Sequence, residues 1–171
     1  MIFVTGIHGA GKTVLCRLIS GQLGYDFYVA SELIQKYQES ALPRNKRVED
    51  IEGNQEILIE ALRLCTGNNG GKRVLLEGHA CLINKQSRIE RIPFEVFMQL
   101  DISHIILLVI NVNTAQTRLY KRDKILHPAG LLDKLQMEEI SYVKEISSKL
   151  KVLMLTAYES IDIGTIEAFL S

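Results

Sequence analysis

Gly6-Ile7-His8-Gly9-Ala10-Gly11-Lys12-Thr13 is the stretch on which the reading of this chain turns. It fits the spacing G-x-x-x-x-G-K-[ST], a pattern with a physical mechanism. With glycine near 7% of residues in general, a chance match in such a chain is on the order of one percent or less. Glycines let the backbone turn its N–H groups inward, which makes a concave nest for phosphate oxygens. A helix opening at Lys12 adds the positive end of its dipole. On this reading Ile7, His8, Gly9, Ala10, Gly11, Lys12, Thr13 and Val14 bind the nucleotide. Lys12 reaches the β- and γ-phosphates, and the Thr13 hydroxyl holds Mg²⁺. His8 either contacts the nucleotide or only fills the place of a commoner proline.

The surroundings of the loop agree with it. Ile2-Phe3-Val4 reads as a short buried strand, and Lys12 to Leu23 as a helix stopped by Gly24. Val14, Leu15, Leu18, Ile19 and Leu23 form its apolar face. Further on, Phe27 to Ala30 reads as a strand, and Ser31 as the N-cap of a helix to about Glu39. Pro43 to Asp50 is a polar, basic loop with Arg44, Lys46 and Arg47. Ile51 to Cys65 is helical, and Thr66 to Gly71 is a turn. Strands follow at Arg73 to Leu76, His104 to Ile110 and Val152 to Leu155. Helices are expected at Pro93 to Leu100, from an Asn113 cap to Arg122, from Leu131 to Leu150, and from Ile161 to Leu170. Strand and helix alternate throughout, the pattern of a parallel sheet covered by helices on both faces.

Two further elements carry charge to the same place. Val74-Leu75-Leu76-Glu77-Gly78-His79 ends an apolar strand on an acid, where a second contact to Mg²⁺ is expected, so Thr13 and Glu77 are the metal candidates. Arg118 and Arg122 lie four apart, hence on one helix face. Two guanidinium groups suit a polyphosphate whose charge shifts during transfer. Lys12, Arg118 and Arg122 are therefore the catalytic candidates. His79 either binds an acceptor or hydrogen-bonds nearby backbone.

Composition narrows the class. The 171 residues are the length of one domain, and 47% hydrophobic with 23% charged residues excludes a disordered chain or a coiled-coil rod. Twenty basic residues balance twenty acidic ones, so the formal charge is +0, and neither a nucleic-acid coat nor a polybasic membrane binder is indicated. Cys16, Cys65 and Cys81 are scattered singly, without zinc or disulfide spacing. No apolar run reaches the ~20 residues of a membrane span, and Met1 to Val4 is too short for a signal peptide. A cytoplasmic protein is expected.

GIHGAGKT, LLEGH, RLYKR and the length together resemble the adenylate-kinase-like nucleoside monophosphate kinase branch of P-loop proteins. That resemblance implies a three-layer α/β/α fold, with a five-stranded parallel sheet in order 2-3-1-4-5. It implies an acceptor subdomain at about 31–66 and a short lid at about 120–130. It implies a loop at Thr156 to Ser160 against the adenine, with Thr156 and Ala157 among the nucleotide contacts. Arg118 would lie near the base and phosphates, and Arg122 would hold the transferred phosphoryl group. Ser31, Glu32, Lys36 and Arg44, with Glu77 and His79, are the acceptor-side candidates. ATP and Mg²⁺ are the implied ligands.

The segment after Gly78 lacks the proline and arginine common in adenylate kinases, and the lid lacks a second arginine pair. A kinase acting on a nucleotide or similar small molecule is therefore expected first. An ATP-hydrolysing regulatory switch of the adenylate-kinase-related type, acting on a protein or nucleic-acid partner, is the alternative.

Overall fold

The computed structural model describes residues 1–41, 51–67, 73–84, 86–158 and 161–171. Along the chain run β1 (Ile2–Thr5), α1 (Lys12–Leu23), β2 (Asp26–Val29), α2 (Ala30–Ala41) and α3 (Ile51–Thr66). Next come β3 (Val74–Glu77), β4 (Cys81–Ile83), β5 (Ile89–Arg91) and α4 (Phe94–Gln99). The chain ends with β6 (His104–Val109), α5 (Val112–Asp123), α6 (Ala129–Leu150), β7 (Leu153–Tyr158) and α7 (Ile163–Leu170).

Five strands make one parallel sheet in the order β2-β3-β1-β6-β7. Counted among themselves they run second, third, first, fourth, fifth, as the resemblance implies. Helices on both faces complete the three layers. β1 and β3 are apolar almost throughout because they are covered on both faces. Leu75, Leu76, Ile105 and Ile106 are fully buried, each contributing roughly 1.5–3 kcal/mol of transfer free energy. From β1 the chain passes to β2 by one crossover and to the β6 side by a later one. The strand order therefore reverses at β1, and a crevice opens beyond its carboxyl end. The glycine loop leaves β1 into that crevice.

Several boundaries differ from the sequence reading. α2 begins at Ala30, so Ser31 lies in its first turn rather than capping it. α5 is capped by Asn111, whose side chain accepts from Asn113 N, so Asn113 is the receiver and not the cap. β3 is shifted one residue later and includes Glu77. β7 continues through Tyr158, so Thr156 and Ala157 are strand residues paired with Leu107 and Leu108, not part of a loop. On α1, Val14 is 74% exposed, and Cys16 joins Leu15 and Ile19 as the buried set. Val14 lines the cavity rather than the core. The antiparallel pair β4–β5 has no counterpart among the expected elements. Its three-residue strands are too short for period-two patterning to be visible.

Much of the crevice is braced by α6, which uses polar side chains on its inward face. Gln136 spans Ile110, accepting from its N–H at 3.0 Å and donating to its carbonyl at 2.9 Å. Tyr142 donates to the Ile92 carbonyl at 2.6 Å. Arg91 on β5 meets Glu138 and Glu145 at 2.6 and 2.9 Å, tying the hairpin to α6 from the solvent side.

Candidate functional site

Gly6 shows why the loop needs its first glycine. Its φ is +143°, and an added Cβ would lie 2.5 Å from the Leu108 carbonyl oxygen. A side chain there would force β1 and β6 apart. The loop then wraps so that Lys12 is buried, at 5% exposure. Its ammonium donates to the carbonyls of Gly6 at 2.9 Å and Ile7 at 3.1 Å. Burial lowers the Lys12 pKa to about 8, opposed by the carboxylates of Glu77 and Glu139. The cation is thus held inside the loop, short of solvation, in a position where phosphate oxygens would be better partners than the loop's own carbonyls.

Thr13 follows on the first turn of α1 and donates its hydroxyl to Glu77 Oε1 at 3.0 Å. Parallel pairing of β1 with β3 sets Val4 beside Glu77, which is what brings the acid to the loop. The other oxygen, Glu77 Oε2, is buried with no hydrogen-bond partner among the described residues. A buried, unpartnered carboxylate oxygen beside a threonine hydroxyl is a donor set that fits Mg²⁺, a hard cation that takes oxygen ligands. Thr13 and Glu77 would hold the ion, which supplies charge neutralisation to bound phosphates.

Gly78 continues β3 against β1, its N–H donating to Val4 at 3.0 Å. A Cβ there would meet the Phe3 ring at 2.8 Å, so the segment can lie close only as glycine. His79 follows and turns into the site. Its Nε2 is 3.5 Å from Lys12 Nζ, and its ring centroid is 4.0 Å from that of His8. Desolvation, then Lys12 and His8, push the His79 pKa well below the ordinary histidine range. His79 is therefore neutral near pH 7. The His8 residue is exposed, though its ring lies against that of His79. Desolvation, then the charges of Lys12 and Arg122, hold its pKa below the usual value as well.

From the far side, α5 brings the arginines. Arg118 Nη1 donates to the Gly9 carbonyl at 3.1 Å and reaches Ala10 O at 3.5 Å. Arg122 lies one turn later at the cavity rim and forks onto Asp123, Nε to Oδ1 at 2.6 Å and Nη2 to Oδ2 at 2.7 Å. That partner was not anticipated from sequence. An adjacent acid is an unremarkable local feature until the fork geometry is seen. α5 ends at Asp123 and α6 begins at Ala129, so most of the expected lid is helix and the connecting stretch is 124–128.

One cavity of about 820 Å³ joins these groups to the α2–α3 side. Ser31 and Glu32 line it, as do His8, Gly9, Gly11, Thr13 and Val14. Ile7 is in the core and contributes its carbonyl to Lys12. Ala10 is buried in the loop. Lys36 is on the exposed side of α2 and does not line the cavity. Thr156 and Ala157 do not line it either. Arg44 lies outside the described residues, as do Lys46, Arg47 and positions 159 and 160 of the expected adenine loop.

The residue that sequence reasoning missed is Glu139 on α6. It is 1% exposed. It accepts from the Thr5 hydroxyl, from Ala80 N at 3.0 Å and from Cys81 N at 2.7 Å. A carboxylate thereby replaces the backbone partners that residues 80 and 81 lose where the chain leaves β3. It fixes the turn that presents His79. Its signal was present: Glu139 is four residues from both Leu135 and Val143, on the stripe that the helix buries.

A glycine loop at the switch point of a parallel sheet, a buried lysine, and a threonine–glutamate pair beside it define a P-loop protein of the kinase fold. Residues 5–126 match the family model described as AAA domain (AAA_17), and the chain belongs to that family. No curated protein matches the sequence itself. Among solved structures it is similar to a gluconokinase from Sinorhizobium meliloti 1021, with TM-score 0.52 and 18% identity over 98% of this chain and 87% of that one. It is similar to a deoxyadenosine kinase from M. mycoides with bound dATP, with TM-score 0.56 and 14% identity over 99% and 97% of the two chains. A shikimate kinase from Acinetobacter baumannii, in complex with shikimate, gives 0.55 and 19% over 99% and 88%. At these identities the likeness concerns the fold. Among the described residues no helix is long and apolar enough to cross a membrane.

Proposed function

We propose that the chain is an ATP-dependent phosphotransferase, adenylate-kinase-like in plan, that moves the γ-phosphoryl group of ATP to a small acceptor. The observation that carries this is the continuous cavity. It runs from Lys12 and Thr13 to Ser31, Gln35 and Gln55, so a triphosphate and a second molecule have room in one continuous cleft. A site for hydrolysis alone needs room only for water beyond the γ-phosphate.

On this reading the loop N–H groups and Lys12 cradle the β- and γ-phosphates. Lys12 exchanges the Gly6 and Ile7 carbonyls for phosphate oxygens. Arg118 stays on the loop and fixes its edge against the nucleotide. Arg122 exchanges Asp123 for the transferring group, where charge builds up in the transition state. Glu32, lining the cavity at the start of α2, orients the acceptor hydroxyl. Neutral His79 packs beside Lys12 without adding a second cation.

The test is ADP release from MgATP, measured by a coupled assay with and without candidate acceptors. Release stimulated by an acceptor and lost in Lys12→Ala supports the proposal. Release that no acceptor raises points to an ATP-hydrolysing switch instead.

A further inference from the structure

At their carboxyl ends the three central strands diverge. β1 leaves the sheet at Thr5 for the glycine loop, β3 leaves after Glu77 for His79 and the hairpin, and β6 leaves after Val109 for α5. The crevice at the switch point depends on that divergence. It also carries buried backbone groups, those of Ala80, Cys81 and Ile110, past the end of the ladder. Such groups need partners. α6 supplies them from two side chains three residues apart, hence on one helix face. Gln136 is 9% exposed and Glu139 is 1% exposed.

The two side chains serve different exits. Gln136 closes a two-bond ring on Ile110, accepting from its N–H and donating to its carbonyl. The next residue, Asn111, caps α5, the helix that carries Arg118 and Arg122. Glu139 ties the β1 exit to the β3 exit. Its Oε1 accepts from the Thr5 hydroxyl and from Ala80 N, and its Oε2 accepts from Cys81 N. Thr5 directly precedes Gly6, and Ala80 lies three residues past Glu77. An amide suits the first place, where one donor and one acceptor face it. A carboxylate suits the second, where three donors converge and its oxygens can accept from all of them.

We infer that Gln136 and Glu139 are positioning residues of the nucleotide site with separate duties. Gln136 sets the arginine helix α5 against the glycine loop. Glu139 sets the Glu77 side of the site, where Mg²⁺ would be held, against the same loop. The inference rests on the nucleotide-binding half of the phosphotransferase reading and deepens it. Neither side chain lines the cavity. Each acts through the strand exit that it holds, where a displacement of about 1 Å can cost on the order of 10²-fold in rate.

The experiment uses the full chain and ATP. Affinity is measured by calorimetry in Mg²⁺ and in EDTA. ADP release from MgATP is followed over a Mg²⁺ titration, well below every variant's melting temperature. Gln136→Met removes both bonds to Ile110 at similar side-chain length. It should weaken ATP binding about fivefold in both buffers and lower turnover about tenfold or more, with the half-saturating Mg²⁺ within about twofold of wild type. Glu139→Gln should leave ATP affinity in EDTA within about twofold and raise the half-saturating Mg²⁺ about fivefold, for binding and turnover alike. Thr5→Val cuts only the tie to β1 and should do the same, so it serves if the Glu139 variant folds poorly. Gln136→Glu keeps the bond from Ile110 N and should show the same split as Gln136→Met if that variant folds poorly. With Arg118 and Arg122 already alanine, Gln136→Met should cost no more than about twofold further, because the groups it positions are gone. Variants that melt earlier yet keep wild-type constants, or that shift every constant by one common factor, overturn the inference and leave the phosphotransferase reading standing. So does the exchanged pattern, with Gln136 governing Mg²⁺ and Glu139 the rate. ATP affinity and turnover that Lys12→Ala leaves unchanged overturn both.

Discussion

The glycine-loop end of the cavity and the α2–α3 end are built on opposite plans. The first is charged and local. Eight consecutive residues supply the nest, the lysine and the threonine, and two arginines from one helix complete it. The second is scattered, and among the described residues its one charged side chain is Glu32. It draws amides from α2 and α3 and apolar side chains from α3, β4 and α4. On the proposed reading the difference follows from the ligands. Every nucleoside triphosphate presents the same phosphates, so one backbone shape serves. An acceptor can be almost anything, and its recognition is left to whichever side chains the packing brings round.

Lys12→Met should break the comparison most sharply, with a loss of turnover on the order of 10³-fold, because the cation that tracks the transferring charge is gone. The same change removes a buried, poorly solvated charge. Lys12 has a folded-state pKa of about 8 against 10.5 unfolded. The unfolded chain therefore binds the proton more tightly, and Lys12 destabilises the fold at neutral pH, the penalty fading as pH rises from about 8 toward 10.5. Lys12→Met without ligand should be no less stable than wild type, and more stable by up to ~3 kcal/mol, in a denaturant melt at pH 7. A variant that loses stability while keeping turnover would show that Lys12 is a structural cation.

The two arginines should separate binding from chemistry. Arg122→Ala should lower turnover by roughly 10²–10³-fold with a modest change in ATP affinity, since Arg122 already has a partner in Asp123. Arg118→Ala should weaken ATP binding about tenfold and affect turnover less, because Arg118 shapes the loop edge. Calorimetric affinities set against rates for both variants decide this. Equal effects in the two would mean that α5 acts as one basic patch.

Glu139→Leu tests whether the turn presenting His79 depends on α6. It leaves the N–H groups of Ala80 and Cys81 unpaired, at a cost of roughly 2–4 kcal/mol by the usual penalty for buried donors. Glu139→Gln should recover part of that loss, since its amide oxygen still accepts. Equal melting curves for both variants and wild type would remove Glu139 from the account.

Smaller is the expected effect at Glu77. Glu77→Gln keeps the contact to Thr13 and removes the anionic oxygen that is buried and unpartnered. The Mg²⁺ needed for half-maximal activity should rise about tenfold. An unchanged titration would mean that Glu77 only ends a strand.

The smallest effect concerns acid. The folded-state pKa of His79 lies well below 6.5, so the unfolded chain takes up its proton first. Its contribution is intact above about 6.5 and is lost progressively as pH falls below that value. His79→Phe should flatten the fall in melting temperature between pH 6.5 and 5. A wild-type curve already flat over that interval would show that the imidazole is not desolvated.

How much of this was legible depended on sequence distance. Gly6 to Thr13 declared itself because its ligand is bound by consecutive backbone groups. Glu77 was legible as an acid ending an apolar strand, and Arg118 and Arg122 as a pair one helical turn apart. Glu139 was hidden because a glutamate on a helix reads as solvated unless the stripe through Leu135 and Val143 is followed across it. The β4–β5 hairpin was hidden by the shortness of its strands. Lys36 was placed on the acceptor side by analogy of position, and the rotation of α2 turns it away.

By itself the sequence determined the alternation of strand and helix, and with it the parallel sheet. It also determined the phosphate-binding loop, because these depend on hydrophobic period and on backbone freedom over a few neighbouring residues. Only the tertiary structure decided which side chains share the cavity. It placed Val4 beside Glu77 through strand register, set Arg122 on Asp123, and seated Glu139 under the backbone of residues 80 and 81. The amides of α2 and α3 opposite the loop are likewise a product of packing. Contacts between residues far apart in the chain depend on how whole elements pack, and no local pattern encodes that.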